Sequence, residues 1–359
     1  MLQQQITLHQ SARDTLFSRN QFSFAGSGGE TAGFHLGKEE LHGDHGLIPI
    51  PVNLAPDRFS LWTPPAGATV VVGPERRAHL LPGCPLPIHR GDLGEDRPTD
   101  AAIGQGVYDY LRQFPECAGN TLYAELLRDA YPHFITDLAS HAVMLDAKQV
   151  EPAYVVRKLI CLKILHLLEP RNCGLLQQLC RGYFELALEF SELSSCRKHL
   201  LEAMRFGQEL LAVAPEDLQA LSLLAEIDML FGDMPAAAGK WQRLAAQVGD
   251  PVTRERIEAR IAACSCSECP ESTLVDDLEA VAEAMRLHAL GDDPGAVLVL
   301  ERLEEAGRLT TALPSADFYW LLGVCRQRCG DVGGAVRALH QAMELEPGHG
   351  AAQQALESF

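Results

Sequence analysis

The side chains best suited to chemistry in this sequence are thiols and imidazoles. Cys264, Cys266 and Cys269 fall within the short run "CSCSEC", and closely spaced thiolates are what a zinc site or a redox switch requires. Structural zinc wants four ligands in a tetrahedron, usually as two separated pairs. This stretch supplies three, and a fourth such as His288 would have to come from another helix. The cluster is therefore read first as a connection between helices, with a zinc or redox site at Cys264, Cys266 and Cys269 as the alternative. Cys325 and Cys329 lie four apart on one helix and read as small buried residues at a helix contact. His42 and His45 in "LHGDHG", beside Glu39, Glu40 and Asp44, could ligate a transition metal and read more simply as a polar loop. "FAGSGGETAG" (24–33) has glycines like a phosphate loop but no Lys after them, and the chain holds no G-x-S-x-G, no H-E-x-x-H and no G-x-G-x-x-G after a strand. No catalytic set can be named. The expectation is a protein that is not an enzyme and carries no cofactor.

The elements that would position such groups come next. A chain of 359 residues, 47% of them hydrophobic, can bury one large core or two to three smaller ones. Of its net charge of −18, all but 2 belongs to the residues from Thr99 onward, and no run of Lys and Arg offsets it. An acidic surface repels phosphate, so nucleic acid and anionic membrane are excluded as expected partners. Eleven cysteines, an odd number scattered through apolar stretches, fit a reducing compartment, and a cytoplasmic location is expected. The first twenty residues lack a basic segment followed by an apolar one. The most apolar stretch, "VVRKLICLKILHLL", is interrupted by Arg157, Lys158 and Lys163. Neither a signal peptide nor a membrane insertion is expected.

The chain has two textures. Residues 1–98 are rich in Gly and Pro, with short apolar pieces at 47–54, 59–62 and 68–72 between turn residues such as Gly73-Pro74 and Pro82-Gly83. They read as an irregular region with short strands. From Thr99 apolar residues recur at three- and four-residue spacings to the end, which predicts helices only, about a dozen. Thr99 and Asn120 are expected N-caps, Pro152 suits a first helical turn, and Pro170, Pro215, Pro314 and Pro347 stand just past helical runs. Ala153 to Leu168 is apolar around most of its circumference and must be packed on two sides. The domain reading is 1–98 irregular, 99–170 helical, and 171–359 a series of helix pairs.

That series shows an internal repeat. Residues 316–349, "ADFYWLLGVCRQRCGDVGGAVRALHQAMELEPGH", carry Leu322-Gly323 in one helix, Gly330-Asp331 at a turn, Ala335, Leu339 and Ala342 in a second helix, and a closing Pro347. On these residues the segment resembles the tetratricopeptide repeat family, with Arg326 standing where that family usually has an aromatic. A second copy at 218–251 has Leu224-Ala225, Gly232-Asp233, Ala237 and Trp241 in the matching places. A weaker one at 277–310 keeps Gly291-Asp292, Ala296 and Leu300 but has Glu283 at a position that should be buried. Residues 175–214 read as a divergent pair with Ala203 and Pro215 at family spacing.

The resemblance implies a mostly α fold, an α-solenoid of antiparallel helix pairs with a small β-containing N-terminal region. It also implies a groove, lined by first helices, that takes a protein or peptide. Its expected lining is Asp317, Trp320, Leu321, Val324, Gln327 and Arg328 in the final pair, and in the earlier pair Gln219, Ser222, Leu223, Glu226, Met229 and Leu230. The Lys, Arg and Asn cluster with which related proteins grip acidic chaperone tails is not among them. The expectation is an adaptor or scaffold, with a metal- or redox-dependent sensor or small enzyme as the alternative. Residues 350–359, with Ala351, Ala355, Leu356 and Phe359 on one side, suit a helix that covers the last apolar face.

Overall fold

The computed structural model describes residues 58–73, 75–94, 97–147, 152–266 and 272–359. The segments 24–33 and 47–54, and the pair His42 and His45, lie outside these residues. The chain is mostly α, built of antiparallel helix pairs, with a small β region ahead of them. The described residues fall into two compact units, one up to Leu290 and one from Gly291 to Phe359.

The first unit begins with two nested two-stranded antiparallel sheets. Strand β1 (Phe59–Trp62) pairs with β4 (Leu86–His89), with Phe59 opposite His89. Between them β2 (Thr69–Val72) and β3 (Arg77–Leu80) form a hairpin. The strands at 59–62 and 69–72 match the sequence reading. Strands β3 and β4 were not expected, because "RAHL" and "LPIH" are too short and too mixed to show alternation. Strand β4 buries Leu86 and Ile88 against α1 (Asp100–Gln113). Asp100 accepts from the Val71 backbone N–H at 2.7 Å and from Arg97 at 2.9 Å, and the Tyr131 hydroxyl donates to the Asp100 carbonyl at 2.6 Å. The β region is thus fastened to the start of the first helix.

Thr99 caps α1 through Ala102 N–H, as its position predicts. Asn120 is the first residue of α2 (Asn120–Ala130) rather than its cap. Gly119 holds the cap position, and the Asn120 amide instead donates to the Pro115 carbonyl. Helices α3 (Pro132–Ala147) and α4 (Pro152–Leu168) both start at proline, where the missing N–H costs nothing. Helix α4 packs on α1, α2, α3 and α5 (Cys173–Ala187), which explains its apolar circumference. Next come α6 (Cys196–Val213), α7 (Leu218–Leu230), α8 (Met234–Ala245) and α9 (Pro251–Cys266). Each of these packs on the one before it, from α5 to α9. Arg197 on α6 ties α10 (Leu274–Ala289) to this series through Asp276 and Glu279, both at 2.8 Å.

The second unit holds α11 (Asp293–Ala306), the short α12 (Arg308–Ala312), α13 (Ala316–Arg328), α14 (Val332–Leu345) and α15 (Gly350–Glu357). Helices α13 and α14 approach closely at Gly323, where a Cβ would stand 2.7 Å from Leu339 Cγ and 3.2 Å from the Ala335 carbonyl. The turn between them needs Gly330, whose φ is +84°, and Asp331 then caps α14 at Gly334 N–H. Arg326 pairs with Glu301 at 3.0 Å and Glu304 at 3.1 Å on α11, which ties α13 to that helix. Helix α15 packs on α13 and α14. Its buried residue, however, is Ala352, while Ala351 is exposed and Phe359 is 49% exposed. The register is set by His349, which accepts from Ala352 N–H at 3.1 Å while its other ring nitrogen meets Asp317 at 2.9 Å.

Candidate functional site

The expected groove residues of the final pair divide by accessibility. Arg328 is exposed and stands 3.7 Å from Asp293. Val324 is half-buried, and Gln327 donates to the Ser358 hydroxyl at 3.1 Å. Trp320 is half-buried, packed on the cluster of Ala316, Leu339, Ala342 and Ala352, with its ring 6.4 Å from that of His349. Leu321 is 2% exposed and belongs to the core. It sits next to the Leu322-Gly323 contact, on the arc of α13 that its neighbours cover.

In the earlier pair Gln219, Ser222, Leu223 and Met229 are half-buried, and Glu226 and Leu230 are buried. Glu226 is buried and ion-paired with Arg260 of α9, whose guanidinium lies 5.4 Å from the Trp241 ring. Met229 packs on the cluster of Ala225, Ala237, Trp241 and Leu244, and Leu230 is buried. Asp228 is ion-paired with Lys240, and burial holds its carboxyl above the usual carboxylate range in spite of that partner. Glu226, Asp228 and Leu230 are buried on this side of α7, while Met229 is half-buried.

Cys264 is buried in the same cluster as Trp241, and burial pushes its thiol up, away from the thiolate that a metal or an oxidant needs. Its helix continues through Cys266, so the first two cysteines lie in the last turn of α9 instead of in a connection. Cys269 lies outside the described residues. Cys325 is buried, and burial together with Asp293 pushes its thiol up to about 12.

One concavity among the described residues is one that the sequence reading did not select. It has a volume of about 520 Å³ and lies between the α1–α2 connection (Phe114, Glu116, Cys117) and helices α4, α5 and α6. Its walls are mostly apolar or aromatic, including Tyr110, Phe114, Leu159, Ile160 and Tyr183. Inside it Lys163 is ion-paired with Glu116 and, at 2.7 Å, with Glu202, and its ammonium stands 5.0 Å from the centre of the Tyr183 ring. Burial works against that charge, but Tyr183, Glu116 and Glu202 together hold the ammonium above its ordinary range. Lys163 was legible only as an interruption of an apolar helix. Its partners come from segments far away in the chain, which no local pattern reveals.

No protein-family model matches this chain, and no curated protein does either. Among solved structures it matches a chain titled "Crystal structure of MamA protein", at 14% identity and a TM-score of 0.26, over 59% of this chain and 92% of that one.

Proposed function

We propose that this chain is a noncatalytic scaffold whose tetratricopeptide-like helix pairs bind another protein or peptide, with the accessible side chains of α13 as the contact. The reading is supported above all by the repeated device at the turns of α7–α8 and α13–α14. Each turn has a glycine at positive φ followed by an aspartate cap, the economy of a modular array rather than of a catalytic fold. Trp320 and Arg328 are residue types in which binding energy concentrates, and Val324 and Gln327 lie on the same helix. A protein partner is chemically suitable because the acidic surface disfavours phosphate. Among the described residues no helix is long and apolar enough to cross a membrane. A cytoplasmic setting and the absence of a cofactor belong to the same reading.

The test is capture of partners by the tagged full-length protein from its host's lysate, comparing the wild type with Trp320→Ala/Arg328→Ala at matched stability. A protein held by the wild type and lost by the variant supports the contact. Equal capture by both forms removes α13 from it. Metal content of the purified protein supplies a second arm. Stoichiometric zinc that disappears in Cys264→Ser replaces the scaffold with a metal-dependent sensor.

A further inference from the structure

Two histidines flank a single aromatic stack in the layer formed by α4, α5 and α6. The His199 ring stacks on Tyr183 at 6.0 Å, Tyr183 on Phe206 at 5.9 Å, and the His166 and Phe206 rings stand perpendicular at 5.6 Å. The layer already holds two permanent cations. Lys163 lies over Tyr183 and Phe206, and the Arg205 guanidinium is 4.0 Å from the Phe206 ring centre.

The proton inventory at these imidazoles is unusual. Nε2 of His166 is 3.1 Å from a Glu209 carboxylate oxygen, which assigns the proton of the neutral ring to that nitrogen. Nδ1 of His166 is buried with no hydrogen-bond partner. In His199 both ring nitrogens are buried without one, the nearest carboxylate being Glu192 at 3.7 Å. A second proton on either ring therefore creates a buried N–H with nothing to accept it, beside a cation already in place.

We propose that His166 and His199 make the α4–α5–α6 layer an acid-sensitive joint, whose protonation loosens the layer and the 520 Å³ pocket that it walls. The groups facing each ring decide the sign. His166 sees Glu209 in its favour and Arg205 against it, both from α6. His199 sees Glu192 from the preceding 3-10 turn and Glu202 in its favour, and Lys198 against it. The α4 cation Lys163 stands over the Tyr183 face of the same stack, paired with Glu116 and Glu202. Burial outweighs the carboxylates in both cases and lowers both histidines below their ordinary value. A base lowered in the folded state takes its proton first in the unfolded chain. Stability is thus complete above the unfolded value of about 6.5 and is lost as the pH falls below it toward the folded values.

The experiment measures thermal unfolding of the full-length protein from pH 7.5 to 5.5, together with hydrogen exchange over residues 152–213. Wild type is compared with His166→Gln/His199→Gln. The wild type is expected to lose about 3 °C or more of Tm beyond the loss of the variant, with protection falling first in α4 to α6. Parallel loss in both proteins overturns the joint, and so does a wild type that gains stability in acid by pairing His166 with Glu209. Titration of the two imidazoles in the wild type by nuclear magnetic resonance decides the matter even where the variant does not fold. Midpoints below the ordinary histidine value support the proposal, and midpoints at or above it overturn it.

Discussion

Two helix pairs built to one plan, α7–α8 and α13–α14, end in different company. In each, Gly232 or Gly330 reverses the chain at positive φ, and Asp233 or Asp331 caps the next helix. Ala237 or Ala335 lies buried in the second helix. The first helices differ in what covers them. Glu226 is buried against Arg260 of α9, while Val324 at the matching position is half-exposed. Asp228 binds Lys240 within its own pair, while Arg326 at the matching position binds Glu301 and Glu304 on α11. The repeat specifies how its own two helices meet. The neighbouring elements decide which of its remaining faces stay open.

The sharpest way to break this comparison is at the close contact. Gly323→Leu forces a side chain into Leu339 and the Ala335 carbonyl and is expected to cost about 3 kcal/mol or more, whereas Ala225→Gly at the matching place costs about 1. Urea unfolding measures both, and equal losses would show that the two contacts are not equivalent in the way described. A smaller effect is expected at the divergent position. Glu226→Gln leaves Arg260 without its anion and should cost about 2 kcal/mol, while Val324→Thr should change stability by no more than about 0.5. A silent Glu226→Gln would mean that the ion pair contributes nothing net. The smallest difference is expected where the plan is shared. Asp233→Ala and Asp331→Ala should each cost about 1 kcal/mol, and a gap of more than about 1 kcal/mol between them would make the caps context-dependent after all.

What was legible in advance follows the range of the interactions. Strands at 59–62 and 69–72, the helix starts at Thr99 and Pro152 and the helix ends before four prolines depend on residues next to one another, and they could be read one segment at a time. The buried fate of Leu321, Glu226 and Leu230 could not, since helical spacing places a residue on an arc without saying what lies across from it. Ala352 displaced Ala351 as the buried residue of α15 for a related reason. A cap by His349, a residue rarely counted among helix starters, sets the helix phase. Cys264 looked like part of a connection because the helix signal fades in "ACSCSEC", and it is packing on the Trp241 cluster that carries the helix on to Cys266.

The sequence by itself determined the mostly helical class, the pairing of helices in the two clear repeats and the places where the chain must turn. Each of these rests on backbone preferences and short-range periodicity that tolerate any surroundings. Only the tertiary structure decided that Lys163, Tyr183, His199 and Glu202 share one pocket, and that the imidazoles of His166 and His199 carry buried nitrogens with no hydrogen-bond partner. These groups come from three helices, and their burial exists only once those helices are stacked.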